Sequence, residues 1–92
     1  MAPMPYFART ILVTGPEEDV VPARQEHLAH LARLAAEGKI RAAGAFPRGD
    51  GYLEIFEAAD LYEAEAIARS SPLVELGLGT WMLREWQEIP LR

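Results

Sequence analysis

The sequence predicts an α+β fold in which one four-stranded antiparallel sheet carries two helices on one face. Four segments have the alternation or the β-branched and aromatic content of strands, and two have helical periodicity. Turn residues separate them in the order β-α-β-β-α-β. The chain has 92 residues, so we expect one domain over residues 1–92.

The first strand is predicted over residues 5–14, which are rich in β-branched and aromatic side chains and end at Gly15-Pro16. Alternation divides its side chains between two faces. One face would carry Tyr6, Ala8, Thr10 and Leu12, and the other Phe7, Arg9, Ile11 and Val13. The acidic, turn-rich residues 15–19 would connect this strand to a helix.

The first helix is predicted to have Asp19 as its N-cap, Pro22 in its first turn and Gly38 at its end. At about 100° per residue, Arg24 falls near the middle of an apolar sector and His27 on its edge. The apolar members of that sector are Leu28, Leu31, Leu34 and Ala35. The opposite sector, which is expected to face water, contains Glu26, His30, Arg33 and Glu37.

The second and third strands are predicted over residues 39–47 and 52–58. Between them, Asp50-Gly51 favours a tight hairpin turn. Asp60 is expected to cap a second helix, with Glu63 completing a capping box.

The second helix, about residues 60–70 by periodicity, would present Leu61, Ala64, Ile67 and Ala68 to the core. Ser70-Ser71-Pro72 would end it, and an apolar connector over 73–79 would lead to a fourth strand over 80–89. This order is that of the ferredoxin-like fold. The second face of the sheet would carry Trp81 or Trp86 with Phe7 or Tyr6, and such an apolar patch predicts a homodimer.

Composition excludes several classes of function. The net charge is −5, and the nine basic residues form no cluster, so no nucleic-acid partner is expected. There is no cysteine, which excludes thiol nucleophiles and thiolate metal sites. No apolar run approaches the ~20 residues of a membrane-spanning helix. Since the chain also shows no signal-peptide pattern, we expect no membrane association and a cytoplasmic location.

The main functional signal is a basic pair on the apolar sector of the first helix. Because burying an unpaired charge is costly, Arg24 and His27 predict either a polar partner or a cavity beside them. A packed histidine and an arginine whose stem reaches water are the structural alternatives. The planar guanidinium of Arg24 would suit a substrate carboxylate.

Other chemistries have little support in the sequence. His27 and His30 diverge by about 60° around a helix, so they do not form a metal-binding pair. Neither a dinucleotide fingerprint nor a phosphate-binding loop is present, and we expect neither metal nor cofactor. Ser70-Ser71 lies outside any nucleophile elbow.

Over nearly its whole length the sequence resembles the YCII-related (YciI-like) family. The resemblance rests on the order and spacing of RQEHLAHLARLAAEGKI, AAGAF, YLEIFEA and ARSSPLVELGL. The matching positions are Arg24, His27, Leu28, Leu31, Gly38, Gly44, Pro72, Leu73, Gly77 and Leu78. The resemblance implies a dimeric α/β-barrel with a His–Asp pair in a pocket between sheet and helices. It also implies small-molecule chemistry, since some similar proteins are dehydrochlorinases of chlorinated aromatic compounds.

The sequence departs from this family at the carboxylate. Ser71-Pro72 stands where the family has Asp-Pro, and Ala43-Gly44-Ala45 stands where it has Ala-Gly-Pro. A serine hydroxyl can orient an imidazole but supplies no charge. Glu54 could supply it by pairing with Arg24 or His27, although exposure to solvent is the commoner outcome for such a residue. Glu75, in the connector, has the same two alternatives.

Two functions are therefore expected. The first is a small cofactor-independent enzyme that transfers a proton, as an isomerase, lyase or dehydrochlorinase, on a small organic acid or aromatic compound. Its catalytic residues would be His27 and Ser71, and its substrate contacts Arg24, Gly44 and Pro72. The second is a non-catalytic binding or structural dimer that lost activity with the aspartate-to-serine change at Ser71.

Overall fold

The computed structural model describes residues 4–91, so residues 1–3 and 92 of the expected domain lie outside the described residues. Its elements are β1 (Tyr6–Val13), α1 (Glu17–Ala36), β2 (Ile40–Ala45), β3 (Gly51–Glu57), α2 (Leu61–Arg69), α3 (Pro72–Glu75) and β4 (Gly79–Trp86). The four strands are ordered β2-β3-β1-β4 and pair antiparallel. The predicted ferredoxin-like α+β fold is confirmed, with the short α3 as an addition.

The start of α1 differs from the prediction. Its N-cap is Pro16, and no side chain caps it. Asp19 is therefore not the cap but lies in an acidic first turn with Glu17 and Glu18, where the carboxylates face the positive end of the helix dipole. Pro22 lies inside the helix, beyond the first turn, where it has no backbone N–H to donate.

The buried face of α1 also differs in part from the prediction. It consists of Val20, Ala23, His27, His30 and Leu34. The inward orientation of His27 is confirmed, but His30, expected to face water, is only 4% exposed. Leu28, expected in the core, is 55% exposed, and Ala35 is exposed as well. Alanines and leucines occur around much of this helix, so angular position alone does not single out one sector.

Two apolar clusters fill the space between the sheet and the helices. Their buried members are Ile11, Val20, Ala23, Tyr52, Leu73 and Leu78 in the first cluster, and Phe7, Phe56, Ala58, Ala64 and Ala68 in the second. Arg9 on β1 and Glu54 on β3 lie between the clusters, because each has a cluster member two residues before and two residues after it on the same face. The core is thus divided by a polar layer.

The predicted capping box of α2 is present. Asp60 accepts a hydrogen bond from the backbone N–H of Glu63 at 2.8 Å, and the Glu63 carboxylate accepts one from Ala59 N at 3.3 Å. Ala64 and Ala68 are buried as predicted. Leu61 is 52% exposed, contrary to the prediction that it enters the core.

The sheet face that points away from the helices is partly apolar. Tyr6 and Trp86 are opposite each other on this face, with ring centroids 6.0 Å apart in an edge-to-face arrangement. Phe7 and Trp81 instead pack on the helix side, which settles the alternatives that the sequence left open. We call the exposed side chains Leu12, Leu53 and Met82 the open-face patch. No helix in residues 4–91 is both long enough and apolar enough to cross a membrane.

Candidate functional site

Four polar side chains without exposed surface form a hydrogen-bonded series through the core, which we call the buried polar chain: Arg9, Glu54, His27 and Ser71. Arg9 Nε donates to Glu54 Oε1 at 2.8 Å. Glu54 Oε2 lies 2.8 Å from His27 Nε2, and His27 Nδ1 lies 2.7 Å from Ser71 Oγ. The buried polar chain thus joins both central strands to α1 and to the start of α3.

The partners of His27 determine which ring nitrogen carries the proton. A carboxylate only accepts hydrogen bonds, so Nε2 bears the hydrogen and donates to Glu54. Nδ1 is then the acceptor of the Ser71 hydroxyl proton. Ser71 Oγ in turn accepts from the backbone N–H of Leu73 at 3.3 Å. Both ring nitrogens of His27 are therefore satisfied.

The β1–β3 ladder places the ion pair. Arg9 and Glu54 are direct cross-strand partners in its antiparallel register, so their side chains leave the sheet on the same face. Of the two alternatives for Glu54, the structure shows the inward one, with His27 and Arg9 as partners and not Arg24. Arg9 is not among the predicted site residues, although a charged residue between Phe7 and Ile11 on one strand face is a usable signal.

Ser71 reaches His27 because it is the N-cap of α3. Its backbone is extended, at φ −72° and ψ 134°, and its side chain caps Leu73 N. The segment predicted as an irregular connector is therefore helical at its start, and Pro72 occupies the first helical position, which suits its fixed φ. Glu75 lies at the exposed end of α3.

Gly44 is not brought to this cluster. It lies in the exposed strand β2 opposite Leu53, whose side chain belongs to the open-face patch. Ala43-Gly44-Ala45 continue that strand. Since neighbouring residues on β3 alternate between faces, Gly44 shares the face away from Glu54 and His27.

His30 extends the polar layer on the other side of Arg9. Arg9 Nη1 donates to Ala68 O at 2.9 Å and lies 3.4 Å from His30 Nε2, which must act as acceptor because arginine only donates. Burial, reinforced by the nearby charge of Arg9, lowers the pKa of His30 to about 4. His30 is therefore neutral at pH 7. The prediction that His30 faces water is therefore wrong, because the side chain points into the polar layer of the core.

Arg24 lies one turn before His27 and is separated from it by Tyr52. Arg24 Nη1 donates to the Tyr52 hydroxyl at 2.9 Å, and Nη2 donates to the carbonyl of Gly49. The Tyr52 ring lies against His27, with centroids 4.5 Å apart, and Arg24 Cζ lies 5.7 Å from the Tyr52 ring centroid. Tyr52, which the sequence reasoning also missed, thus connects the two predicted site residues.

A cavity of about 620 Å³ lies between the N-terminal half of α1 and the hairpin that joins β2 to β3. Its charged lining residues are Glu17, Arg24, Arg48 and Asp50. His27 is not among the lining residues. The cavity therefore lies beside Arg24 and not beside His27 and Ser71, where the site hypothesis requires one, and Tyr52 stands between Arg24 and the imidazole.

Comparison with known proteins decides the family. The sequence matches the family model described as YCII-related domain over residues 6–87, which is most of the chain. The chain belongs to the YCII-related family. A relative in Bacillus subtilis (strain 168), the uncharacterized protein YjpA, is 36% identical to this YCII-related domain over 67 residues, which are 68% of this chain and 79% of that protein.

A solved structure similar to this YCII-related domain is 5-chloro-2-hydroxyhydroquinone dehydrochlorinase from Burkholderia phenoliruptrix AC1100, in complex with 2,5-dihydroxybenzoquinone. The TM-score is 0.69 at 22% sequence identity, over 88% of this chain and 93% of that one. At this level of identity the similarity establishes a shared fold.

In this YCII-related domain the carboxylate partner of His27 comes from β3. Glu54 contacts Nε2, while Ser71 occupies the position where the resemblance implies an aspartate. The order hydroxyl, imidazole, carboxylate is the arrangement in which a histidine takes up a proton and a carboxylate stabilises the resulting imidazolium. Within the part of the chain that the structure describes, no group of three His, Asp or Glu side chains could hold a metal ion.

Proposed function

We propose that this YCII-related domain is a cofactor-independent enzyme that transfers a proton on a small anionic aromatic compound or organic acid. The observation that carries the proposal is the hydrogen-bonded order Ser71, His27, Glu54 at 2.7 and 2.8 Å. A histidine with one nitrogen fixed by a carboxylate and the other accepting a proton is prepared to act as a general base.

In the proposed reaction His27 Nδ1 takes up a substrate proton. The proton arrives through the Ser71 hydroxyl, which gives its own hydrogen to Nδ1 and receives the hydrogen of the substrate. Glu54 stabilises the imidazolium across the ring. In an isomerisation the proton returns to another substrate atom. In a dehydrochlorination the electron pair left behind forms a double bond while chloride departs.

The substrate class follows from Arg24 and from the similar dehydrochlorinase. That enzyme's substrate and its bound 2,5-dihydroxybenzoquinone are rings with ionisable oxygens, and the Arg24 guanidinium suits such a group. His27 and Ser71 have no exposed surface. The proposed chemistry therefore requires α3 or the Tyr52 side chain to move aside when substrate enters.

We propose to test this with 5-chloro-2-hydroxyhydroquinone as substrate and chloride release as readout. We expect turnover by the native chain and a loss of at least about 100-fold in His27→Asn, since a general base commonly contributes that much. Arg33→Gln, on the exposed side of α1, is the control and should leave turnover unchanged. Equal turnover by folded His27→Asn would refute the proposal.

A second candidate is a non-catalytic homodimer that binds small molecules. The observation that favours it is the complete burial and hydrogen-bond saturation of His27 and Ser71, which suits a structural role. The second copy would cover the open-face patch. If this second function is correct, the protein does not turn over the chlorinated substrate but still binds small molecules. A thermal-shift measurement detects such binding as a higher Tm.

A further inference from the structure

We infer that the cavity between α1 and the β2–β3 hairpin is a subsite for the carboxylate of an aromatic acid, held by Arg24 and Arg48. The proposed function supplies only the general ligand class on which this inference rests.

Neither arginine of the proposed subsite is in an ion pair within the described residues. Both hydrogen bonds of Arg24 end on neutral acceptors, the Tyr52 hydroxyl and the Gly49 carbonyl. Within residues 4–91 neither Arg24 nor Arg48 has a carboxylate oxygen within 4.0 Å, although Glu17 and Asp50 line the same cavity. Two guanidinium groups without an acidic partner favour binding of an external anion.

The size and lining of the cavity suit an aromatic ring. Its volume of about 620 Å³ is large enough for a single aromatic ring with substituents. Apolar side chains line it beside the charged groups: Val13, Val20 and Val21. An aromatic ring can therefore contact the valines while its carboxylate reaches Arg24 and Arg48.

A bound carboxylate would replace a neutral hydrogen-bond partner of Arg24. In the structure Arg24 Nη2 is held by the Gly49 carbonyl, a neutral acceptor in the hairpin turn. A carboxylate carries a full negative charge and can accept two parallel N–H···O bonds from one guanidinium, so a bound carboxylate takes over this nitrogen. The hairpin carbonyl is thereby released, and the backbone around Gly49 changes its environment.

Tyr52 is the positioning residue of this subsite. Its hydroxyl holds Arg24 Nη1 at 2.9 Å, and its ring contacts His27 on the other side. A ligand on Arg24 is therefore one aromatic ring away from the buried polar chain. Replacing the hydroxyl alone, in Tyr52→Phe, keeps this ring in place but frees Arg24.

The experiment is an NMR titration of the full chain with benzoate, and with benzamide as the neutral ligand of the same shape. We expect benzoate to shift the backbone amide signals of Arg24, Arg48, Gly49 and Asp50 in a saturable way, and to bind at least tenfold more tightly than benzamide. Arg48→Gln should weaken benzoate at least tenfold, Tyr52→Phe severalfold, and Arg33→Gln not at all. Arg48 is exposed, so its variant is expected to fold.

Three results would overturn the subsite: equal affinity for benzamide, unchanged affinity in Arg48→Gln, or shifts confined to the open-face patch. Failure of the proposed function looks different, because benzoate can bind as described while the chlorinated substrate is not turned over. Conversely, turnover that depends on His27 but not on Arg48 would leave the proposed reaction intact and exclude this subsite.

Discussion

Glu54 Oε2 lies 2.8 Å from His27 Nε2, although the two residues belong to different elements and neither side chain has exposed surface. The other carboxylate oxygen of Glu54 accepts from Arg9 at 2.8 Å. One carboxylate thus compensates the buried guanidinium and fixes the tautomer of the histidine. Ser71 has no charge to offer His27, and Glu54 on β3 supplies the negative charge instead.

Glu54→Gln is predicted to destabilise the fold strongly. The change leaves the Arg9 guanidinium buried without a negative partner, and breaking a buried ion pair in this way costs about 3–5 kcal/mol. Urea unfolding measures the loss. Glu85→Gln, an exposed glutamate on β4, is the matched control and should change the free energy of unfolding by less than about 0.5 kcal/mol.

The double variant Arg9→Met with Glu54→Leu tests whether the two buried charges stabilise each other. Because both buried charges are removed together, we expect a smaller loss of stability than in Glu54→Gln alone. A loss in the double variant equal to the sum of the losses in Arg9→Met and Glu54→Leu alone would contradict a direct ionic interaction between Arg9 and Glu54.

Ser71→Ala is predicted to cost about 1–3 kcal/mol, because it leaves His27 Nδ1 and the N–H of Leu73 without their partner. Thr14→Ala is the control. Thr14 is exposed, so its hydroxyl is solvated in the folded chain and its removal costs little. Thermal or urea unfolding of both variants measures the difference, and equal losses would argue against the bond between Ser71 and His27.

His30 predicts a pH dependence of stability. Its pKa falls from 6.5 to about 4 on folding because of burial and of the charge of Arg9. The unfolded chain therefore binds more protons than the folded chain between these two pH values, so stability falls as pH falls. The free energy of unfolding is therefore highest above pH 6.5 and lower by roughly 3 kcal/mol at about pH 4, at 1.36 kcal/mol per pKa unit of the His30 shift.

Urea unfolding at several pH values between 4 and 7 checks this dependence, and histidine NMR signals report the titration directly. His30→Leu should flatten the slope in this range, whereas carboxylate titration below pH 4 should remain. A His30 ring that titrates near 6.5 in the folded chain would contradict the burial argument.

The open-face patch predicts how the chain associates if it forms the homodimer that we propose. Leu53→Glu places a charge on a residue that is 40% exposed and next to Ile55 and Gly44 in the sheet. We expect the mass in light scattering to fall from two chains to one, because an unpaired charge is costly in such an interface. Leu28→Glu, on an exposed part of α1, should leave the mass unchanged.

Local signals in the sequence predicted the secondary structure well. Gly38 has φ +74° just after α1, and Asp60 caps α2 as expected. These outcomes depend on backbone conformation and on hydrogen bonds within a few residues. The start of α1 was less predictable, since Pro16 ends the preceding loop and no side-chain cap marks the boundary.

The site was predictable in part. The family resemblance implies that Ser71 orients the His27 imidazole, and the structure places His27 Nδ1 and Ser71 Oγ 2.7 Å apart. The sequence leaves the orientation of Glu54 undecided, because alternation shows which residues share a face of a strand but not which face the helices cover. Arg9 and His30 join only after β1, β3 and α1 come together, because their partners are distant in sequence.

By itself the sequence determined the order of the elements, the end of α1 at Gly38, the cap of α2 at Asp60 and the inward orientation of His27, but not the N-cap of α1 or the turn between β2 and β3. Local propensity and periodicity control these features, and they act over a few residues. The tertiary structure alone decided that a charged pair from two strands would accompany the histidine in the core and that Tyr52 would separate it from Arg24. The reason is that the free energy of a buried charge depends on the partners that packing places around it, not on its neighbours along the chain.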